Sequence, residues 1–315
     1  MTSLPRISIL VPLHNAEGHI LHCLQSIIEQ TYLGELECII VNDCSVDNSM
    51  SLVASFLNNY NGLVKFFILN HAYSRGLAAC QNTALDYVSG QFLIHLYPNE
   101  RLSSVAIETL VQHQQEMRVD IVSSEGLGFF GGRVDDIISE PSMSKSDMII
   151  RAINYHLSIS CRLIRTSLYF ENNIRAVEGV DQMNLSSTLP KLVFCSNNVA
   201  MIPYPLWHRY YEPNDSKDLL FRFIQATDVL IEYFAGHDRY LNELYKKKIS
   251  YVNGLLSNAL YASDREGYNR ALGELKDIPR RYFHHTKLKD IWQNFLLHHY
   301  SIRKIVQDYQ HRRKS

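Results

Sequence analysis

The chain has 315 residues, 46% of them hydrophobic and 20% charged, with 14 Gly and 9 Pro, a mix that excludes wholesale disorder and collagen-like repeats. No apolar run reaches the roughly 18 residues a membrane-spanning helix needs, and Met1 to Arg6 leads straight into a β-type run, unlike a signal peptide, so a cytoplasmic chain is expected. The net charge of −1 hides an asymmetry: from Lys246 to Ser315 there are 15 Lys plus Arg against 6 Asp plus Glu, behind an acidic body.

The first 125 residues alternate two patterns. Ile7 to Val11 reads as a buried strand, and Glu17 to Gln30 carries Ile20, Leu21, Leu24, Ile27 and Ile28 at helical spacing. Glu37 to Val41 is strand-like and ends at Asn42-Asp43; a helix follows from Asp47 to about Asn58. A strand at Val64 to Leu69, a helix at Leu77 to Val88, a strand at Phe92 to Leu96, a helix at Val105 to Met117 and a strand at Asp120 to Ser123 complete the series. Strands alternating with helices of this length predict an α/β fold with βαβ units and a mostly parallel sheet. Ligands of such sheets sit beyond the carboxyl ends of the strands, here Leu13-His14-Asn15, Asn42-Asp43 and Tyr97-Pro98-Asn99-Glu100.

Further on, short β-like runs stand at Lys191 to Cys195 and Val199 to Ile202. The turn cluster Glu212 to Ser216 suggests a boundary, giving an α/β domain over 1–216 and a helical, basic C-terminal domain over 217–315, with helical spacing from Lys217 to Ala262 and Leu288 to Gln310. Gly126-Leu127-Gly128-Phe129-Phe130-Gly131 matches G-x-G-x-x-G, but no helix follows to point its N-terminus at a pyrophosphate, so a glycine-rich loop is the better reading. The six cysteines form no C-x-x-C pair and read as reduced, mostly structural thiols.

Several ordered phrases carry a resemblance. Ile7-Ser8-Ile9-Leu10-Val11-Pro12-Leu13-His14-Asn15-Ala16-Glu17, Cys23 to Ile27, Gln30-Thr31-Tyr32 and Ile40 to Ser49 resemble the opening of glycosyltransferase family 2, whose members are inverting enzymes with the GT-A fold. Arg75 to Leu85 resembles the family's next block, and Glu171 to Arg175 with Glu178-Gly179-Val180-Asp181 resembles the segment that carries its catalytic base. Arg209 to Ser216 resembles the tail of its catalytic domain, so the likeness spans residues 5–216.

The chemistry such an enzyme needs is a base-and-ribose pocket, neutralisation of a diphosphate leaving group and a general base. Asp43 is placed to accept hydrogen bonds from uracil or ribose, with a turn role shared with Ser45 and Asp47 as the alternative; Pro12 and Asn15 would shape the loop beside the base. The resemblance implies Asp181 as the base that takes the acceptor's hydroxyl proton, against an N-cap role for the segment after it. Two positions depart from the pattern. Where the family has an Asp-x-Asp holding ribose and a divalent metal, this chain reads Tyr97-Pro98-Asn99 followed by Glu100; Mn²⁺ or Mg²⁺ would have to be held by Glu100 with Asn99, or not at all. Gln81 stands where the family commonly has an Arg near base and phosphates, and Arg75, Arg101 and Arg209 are the candidates for charge neutralisation without a metal.

The expected activity is transfer of a sugar from a nucleotide-sugar, a uridine diphosphate sugar, to a glycan or lipid-linked acceptor in surface polysaccharide synthesis. The alternative is a degenerate GT-A protein that binds nucleotide, glycan or a partner transferase without turnover. Lys246-Lys247-Lys248 and Arg312-Arg313-Lys314 read either as solvated faces or as an attraction to anionic lipid, worth about 1 kcal/mol per basic residue, which would place the chain at the inner face of a membrane. No module for binding nucleic acid is present in the sequence.

Overall fold

The computed structural model describes residues 3–130, 133–137, 144–155, 157–180, 186–211, 219–262, 264–279 and 281–282. The chain divides into two compact units, Met1–Asp215 and Ser216–Ser315.

The first unit opens with β1 (Ile7–Leu13), α1 (Ile20–Ile28), β2 (Leu36–Asn42), α2 (Ser49–Asn58), β3 (Lys65–Asn70), α3 (Leu77–Leu85) and β4 (Phe92–His95). It continues with β5 (Glu100–Leu102), α4 (Ala106–Met117), β6 (Ile121–Phe130), β7 (Arg133–Ile137), α5 (Lys145–Tyr155), β8 (Leu163–Arg165), α6 (Ser167–Glu171), α7 (Thr188–Cys195) and β9 (Val199–Tyr211). The strands form one sheet in the order β3-β2-β1-β4-β8-β6-β9-β5, with β7 paired to β6. From β3 to β4 every pairing is parallel, as the βαβ alternation predicts. Beyond β4 the sheet is mixed: β8 is antiparallel to both β4 and β6, β6 and β9 run parallel, and β5 closes the far edge antiparallel to β9.

Every residue of β1 and β2 is buried, which is why both read as mostly apolar runs, broken only by Ser8 in β1 and by Glu37 and Asn42 in β2. On α1 the stripe Ile20, Cys23, Leu24 and Ile27 recurs at helical spacing. It packs into the same core as Ile7, Ile9 and Val11 of β1, Phe92 and Ile94 of β4, and Leu110 of α4. Each such side chain contributes about 1.5–3 kcal/mol by leaving water.

Two expectations are corrected. Lys191 to Cys195 is the end of helix α7, not a strand: Pro190 falls in its first turn, where no amide bond is lost, and Leu189, Leu192 and Val193 all turn inward at helical spacing. The glycine-rich stretch from Gly126 to Phe130 is strand, paired with β9 on one side and from Leu127 on with β7 on the other, rather than loop. The glycine at 126 is needed for close approach, since a Cβ there would collide with the Trp207 indole.

The second unit contains α8 (Leu219–Tyr233), α9 (Asp238–Tyr261) and α10 (Arg265–Lys276), packed around Ile224, Tyr251, Val252, Leu256 and Ala271. Asp264 caps α10 by accepting from the Gly267 amide at 3.0 Å. Lys248 of α9 is buried between Asp228 of α8 (2.7 Å) and Glu274 of α10 (3.0 Å). Lys246 pairs with Glu243, and the Lys247 ammonium stands 5.7 Å from the Tyr251 ring centroid. Of this run only Lys248 is buried inside the helical unit, while Lys246 and Lys247 stay partly exposed; Arg312, Arg313 and Lys314 lie outside the described residues. Among the described residues no helix is long and apolar enough to cross a membrane.

Candidate functional site

A crevice of ≈ 950 Å³ opens at the carboxyl ends of β1, β2 and β4. It is lined by the run from Pro12 to His19, by Asp43 and Asp47, by the stretch from Ser74 to Leu77 with Cys80, and by Tyr97, Pro98 and Asn99. The position follows from the parallel half-sheet, whose strands all end on that side.

Two loops form its floor. Asn15 takes a left-handed backbone (φ 48°), donates its amide to Ser45 Oγ at 3.1 Å and accepts from the Val46 amide at 2.8 Å. The acids beside it are engaged the same way: Asp47 accepts from the Glu17 amide at 3.0 Å, and Glu17 from the Asn48 amide at 2.9 Å. His14 donates to the Asp43 carbonyl at 2.7 Å.

Asp43 is the best-satisfied group in the crevice. Its Oδ1 accepts from His71 Nδ1 at 2.7 Å and from the Arg75 amide at 2.8 Å; its Oδ2 accepts from Ser74 Oγ and from the Gly76 amide, each at 2.8 Å. Burial alone would raise its pKa, but the donors, led by the Arg75 amide and followed by His71, Ser74 and Gly76, outweigh it and hold the carboxyl at about 2. Asp43 thus ties the end of β2 to the loop that starts α3, where Gly76 adopts φ 86°, a conformation that favours glycine. His71 relays the tie onward, its Nε2 lying 2.9 Å from Thr83 Oγ1 of α3. The sequence reading missed His71 and Ser74, although the carboxyl-end rule applied to β3 would have drawn attention to both.

The remaining expected residues separate into two groups. Arg75 lines the crevice and grips Glu178 through both carboxylate oxygens at 3.0 Å. Asn99 also lines it and donates Nδ2 to the Tyr210 carbonyl at 2.8 Å. Gln81, Glu100 and Arg209 do not face it. Gln81 is buried on α3 with its Oε1 bonded to His95 Nδ1, and His95 Nε2 accepts from the Tyr169 hydroxyl at 2.6 Å. Burial pushes the His95 pKa down to about 3 and keeps the ring neutral. Glu100, expected as a metal ligand, is fully buried: its oxygens take the Arg209 guanidinium (Nε at 2.7 Å), Ser160 Oγ at 2.7 Å and the Tyr97 amide at 2.8 Å. Alternation along β5 turns Glu100 inward, toward β9, and Arg209 is the residue directly across the ladder. Asp181 lies outside the described residues.

The segment leading to Asp181 is described as far as Val180 and is held from α3. Asn82 donates Nδ2 to the Ala176 carbonyl at 2.9 Å and accepts from the Ala176 amide at 3.0 Å, while Arg175 donates to the Asn82 carbonyl at 3.0 Å.

The donor set does not fit a hard divalent cation. Asp43, His71 and Cys80 bring three ligand atoms within 4.8 Å of one another. However, both Asp43 oxygens already accept two hydrogen bonds each, both His71 nitrogens are engaged, and burial pushes the Cys80 thiol up to about 12, so it stays protonated. At the Tyr97–Asn99 turn no described carboxylate faces the crevice, and an amide oxygen is a weak ligand for Mg²⁺ or Mn²⁺.

Comparison with known proteins gives the family and the fold. The family model for glycosyl transferase family 2 matches residues 8–169. The chain is similar to the poly(ribitol-phosphate) β-N-acetylglucosaminyltransferase TarS of Staphylococcus aureus, 22% identical over 314 residues, which cover 91% of this chain and 54% of that protein. The chain therefore spans about half the length of that relative. The structure of S. aureus TarS 1-349 in complex with UDP-GlcNAc superposes with a TM-score of 0.71 at 19% identity, covering 88% of this chain and 82% of that one. A mannosyltransferase from Pyrobaculum calidifontis in complex with GDP-Man and Mn²⁺ gives 0.53 at 15% identity, over 93% and 88%. These structural likenesses concern the fold, which is GT-A.

Proposed function

From a chain that belongs to glycosyl transferase family 2, we propose an inverting transferase that takes its sugar from a nucleotide-sugar, a uridine diphosphate sugar, and passes it to a glycan or lipid-linked acceptor in surface polysaccharide synthesis. The observation that carries this reading is the crevice at the carboxyl ends of β1, β2 and β4, with Pro12, Asn15, Asp43, Arg75 and Asn99 all on its walls. The nucleoside lies against the Pro12–Asn15 loop and Asp43. Because Asp43 is saturated by the 71–76 loop, its part is to shape the pocket and fix the first turn of α3; the base meets the walls that Asp43 holds in place.

Transfer is a single displacement. The acceptor hydroxyl attacks the anomeric carbon as Asp181 takes its proton, the bond from that carbon to the diphosphate oxygen breaks, and the nucleoside diphosphate leaves with that electron pair. Asn82 and the Arg75–Glu178 pair set the approach of the segment that ends in Asp181. The test is donor turnover by the purified chain and by Asp181→Asn, with UDP binding measured alongside. Turnover lost with UDP binding kept is the expected result; equal turnover in both proteins removes Asp181 from the role of base.

A second reading, binding without turnover, is favoured by one observation: the acid nearest the altered Tyr97-Pro98-Asn99 position, Glu100, is locked inside the protein. Nucleotide binding by a chain that turns over no donor would select it.

A further inference from the structure

The altered motif poses a charge problem. A diphosphate brings negative charge that grows as it leaves, and something positive must meet it. Of the three arginines near the crevice, two are already paired. Arg209 is buried on Glu100, and Arg75 is gripped by Glu178. Arg101 differs from both: among the described residues it has no carboxylate partner, and its Nε is buried without a hydrogen-bond acceptor. A guanidinium carries five N–H donors, and burying one unmet costs about 1–3 kcal/mol.

Its surroundings place it beside the altered turn. Along β5 Glu100 and Leu102 point into the core, and Arg101 between them points the other way. The Arg101 guanidinium stands 4.9 Å from the Tyr210 ring centroid, and the Tyr210 ring stacks on His19, a wall of the crevice, at 6.1 Å. Tyr210 is joined to Asn99 in both directions, donating its amide to the Asn99 carbonyl at 2.9 Å and accepting the Asn99 side chain at 2.8 Å. One aromatic ring thus separates a guanidinium with an unmet donor from the turn where a metal-binding carboxylate pair is missing.

We propose that Arg101 receives the diphosphate of the donor, supplying from the chain itself the positive charge that carboxylate-held cations supply elsewhere; this rests on the transferase reading above. The planar fork suits two phosphate oxygens at once, and the Tyr210 ring beside it leads to the crevice wall at His19.

The experiment is calorimetric titration of UDP and of uridine into the full chain, Arg101→Gln and Arg101→Lys, each in EDTA and in Mn²⁺, with melting curves to confirm folding. The unaltered chain should bind UDP in EDTA about as tightly as in Mn²⁺. Arg101→Gln should weaken UDP about tenfold or more while leaving uridine within about twofold, and Arg101→Lys should recover part of the loss. Two results overturn the proposal and leave the transferase reading standing: UDP binding that requires Mn²⁺, and equal losses for UDP and uridine. No UDP binding in any condition overturns the reading and the proposal together.

Discussion

Replacing Glu100 with Gln keeps the shape of the side chain and removes its charge, leaving the Arg209 guanidinium in a pocket closed to water. Arg209 is only 7% exposed and Glu100 0%, so solvent cannot compensate. Breaking a buried pair from one side costs about 3–5 kcal/mol, chiefly the desolvation of the charge left behind. For a unit of this size, where about 1 kcal/mol moves the melting temperature by roughly 2–4 °C, Glu100→Gln should lower it by about 6–20 °C. The assay is a melt of the full chain followed by circular dichroism. The double variant Glu100→Gln with Arg209→Met should regain most of the loss, because it removes the orphaned charge. A drop under about 2 °C, together with loss of any Mn²⁺-dependent nucleotide binding, would refute the reasoning, since it would mean that Glu100 faces the crevice and holds a cation.

Asp43 gives a pH dependence: its carboxyl is held at about 2, below its ordinary 3.8, so the stability it contributes is present above pH 4 and lost as pH falls toward 2. That shift is worth roughly 2 kcal/mol, read as a declining urea midpoint over that window, and Asp43→Asn should flatten it; an unchanged slope in the variant would assign the effect elsewhere. Gly126→Ala should cost about 1–3 kcal/mol by forcing a methyl against Trp207, measured as a lower denaturant midpoint with altered tryptophan emission. Asn82→Ala should slow transfer between about tenfold and hundredfold with UDP affinity unchanged, because Asn82 grips Ala176 and does not line the crevice; parallel losses of rate and affinity would contradict that division.

The parallel half of the sheet was legible because burial writes itself into sequence there. β1 and β2 are covered on both faces, so nearly every position is apolar, and α1 shows its single buried stripe. The region beyond β4 was less legible because its logic is long-range. Gly126 reads as a loop residue until Trp207 is seen to need the space, and α7 reads as a strand because Leu192, Val193 and Phe194 are rich in β-type side chains over too short a span to show a period. Within the site, position along the chain identified the crevice walls but not the partners of each acid. Nothing local to Glu100 announces Arg209, and nothing local to Asp43 announces His71.

The closure of β5 on β9 also bears on the order in which the protein is made. Ribosomes deliver the chain N-terminus first, at about 5–20 residues per second. β1 to β4 and the loop that clasps Asp43 are complete once residue 95 has emerged. The Tyr97–Asn99 turn is not, because the groups that fix it, Arg209 through Glu100 and Tyr210 through Asn99, arrive more than a hundred residues later. The nascent protein therefore holds the crevice walls at the ends of β1 and β2 well before it holds the wall at Tyr97–Asn99, and the two halves of the crevice come together only when β9 is laid down.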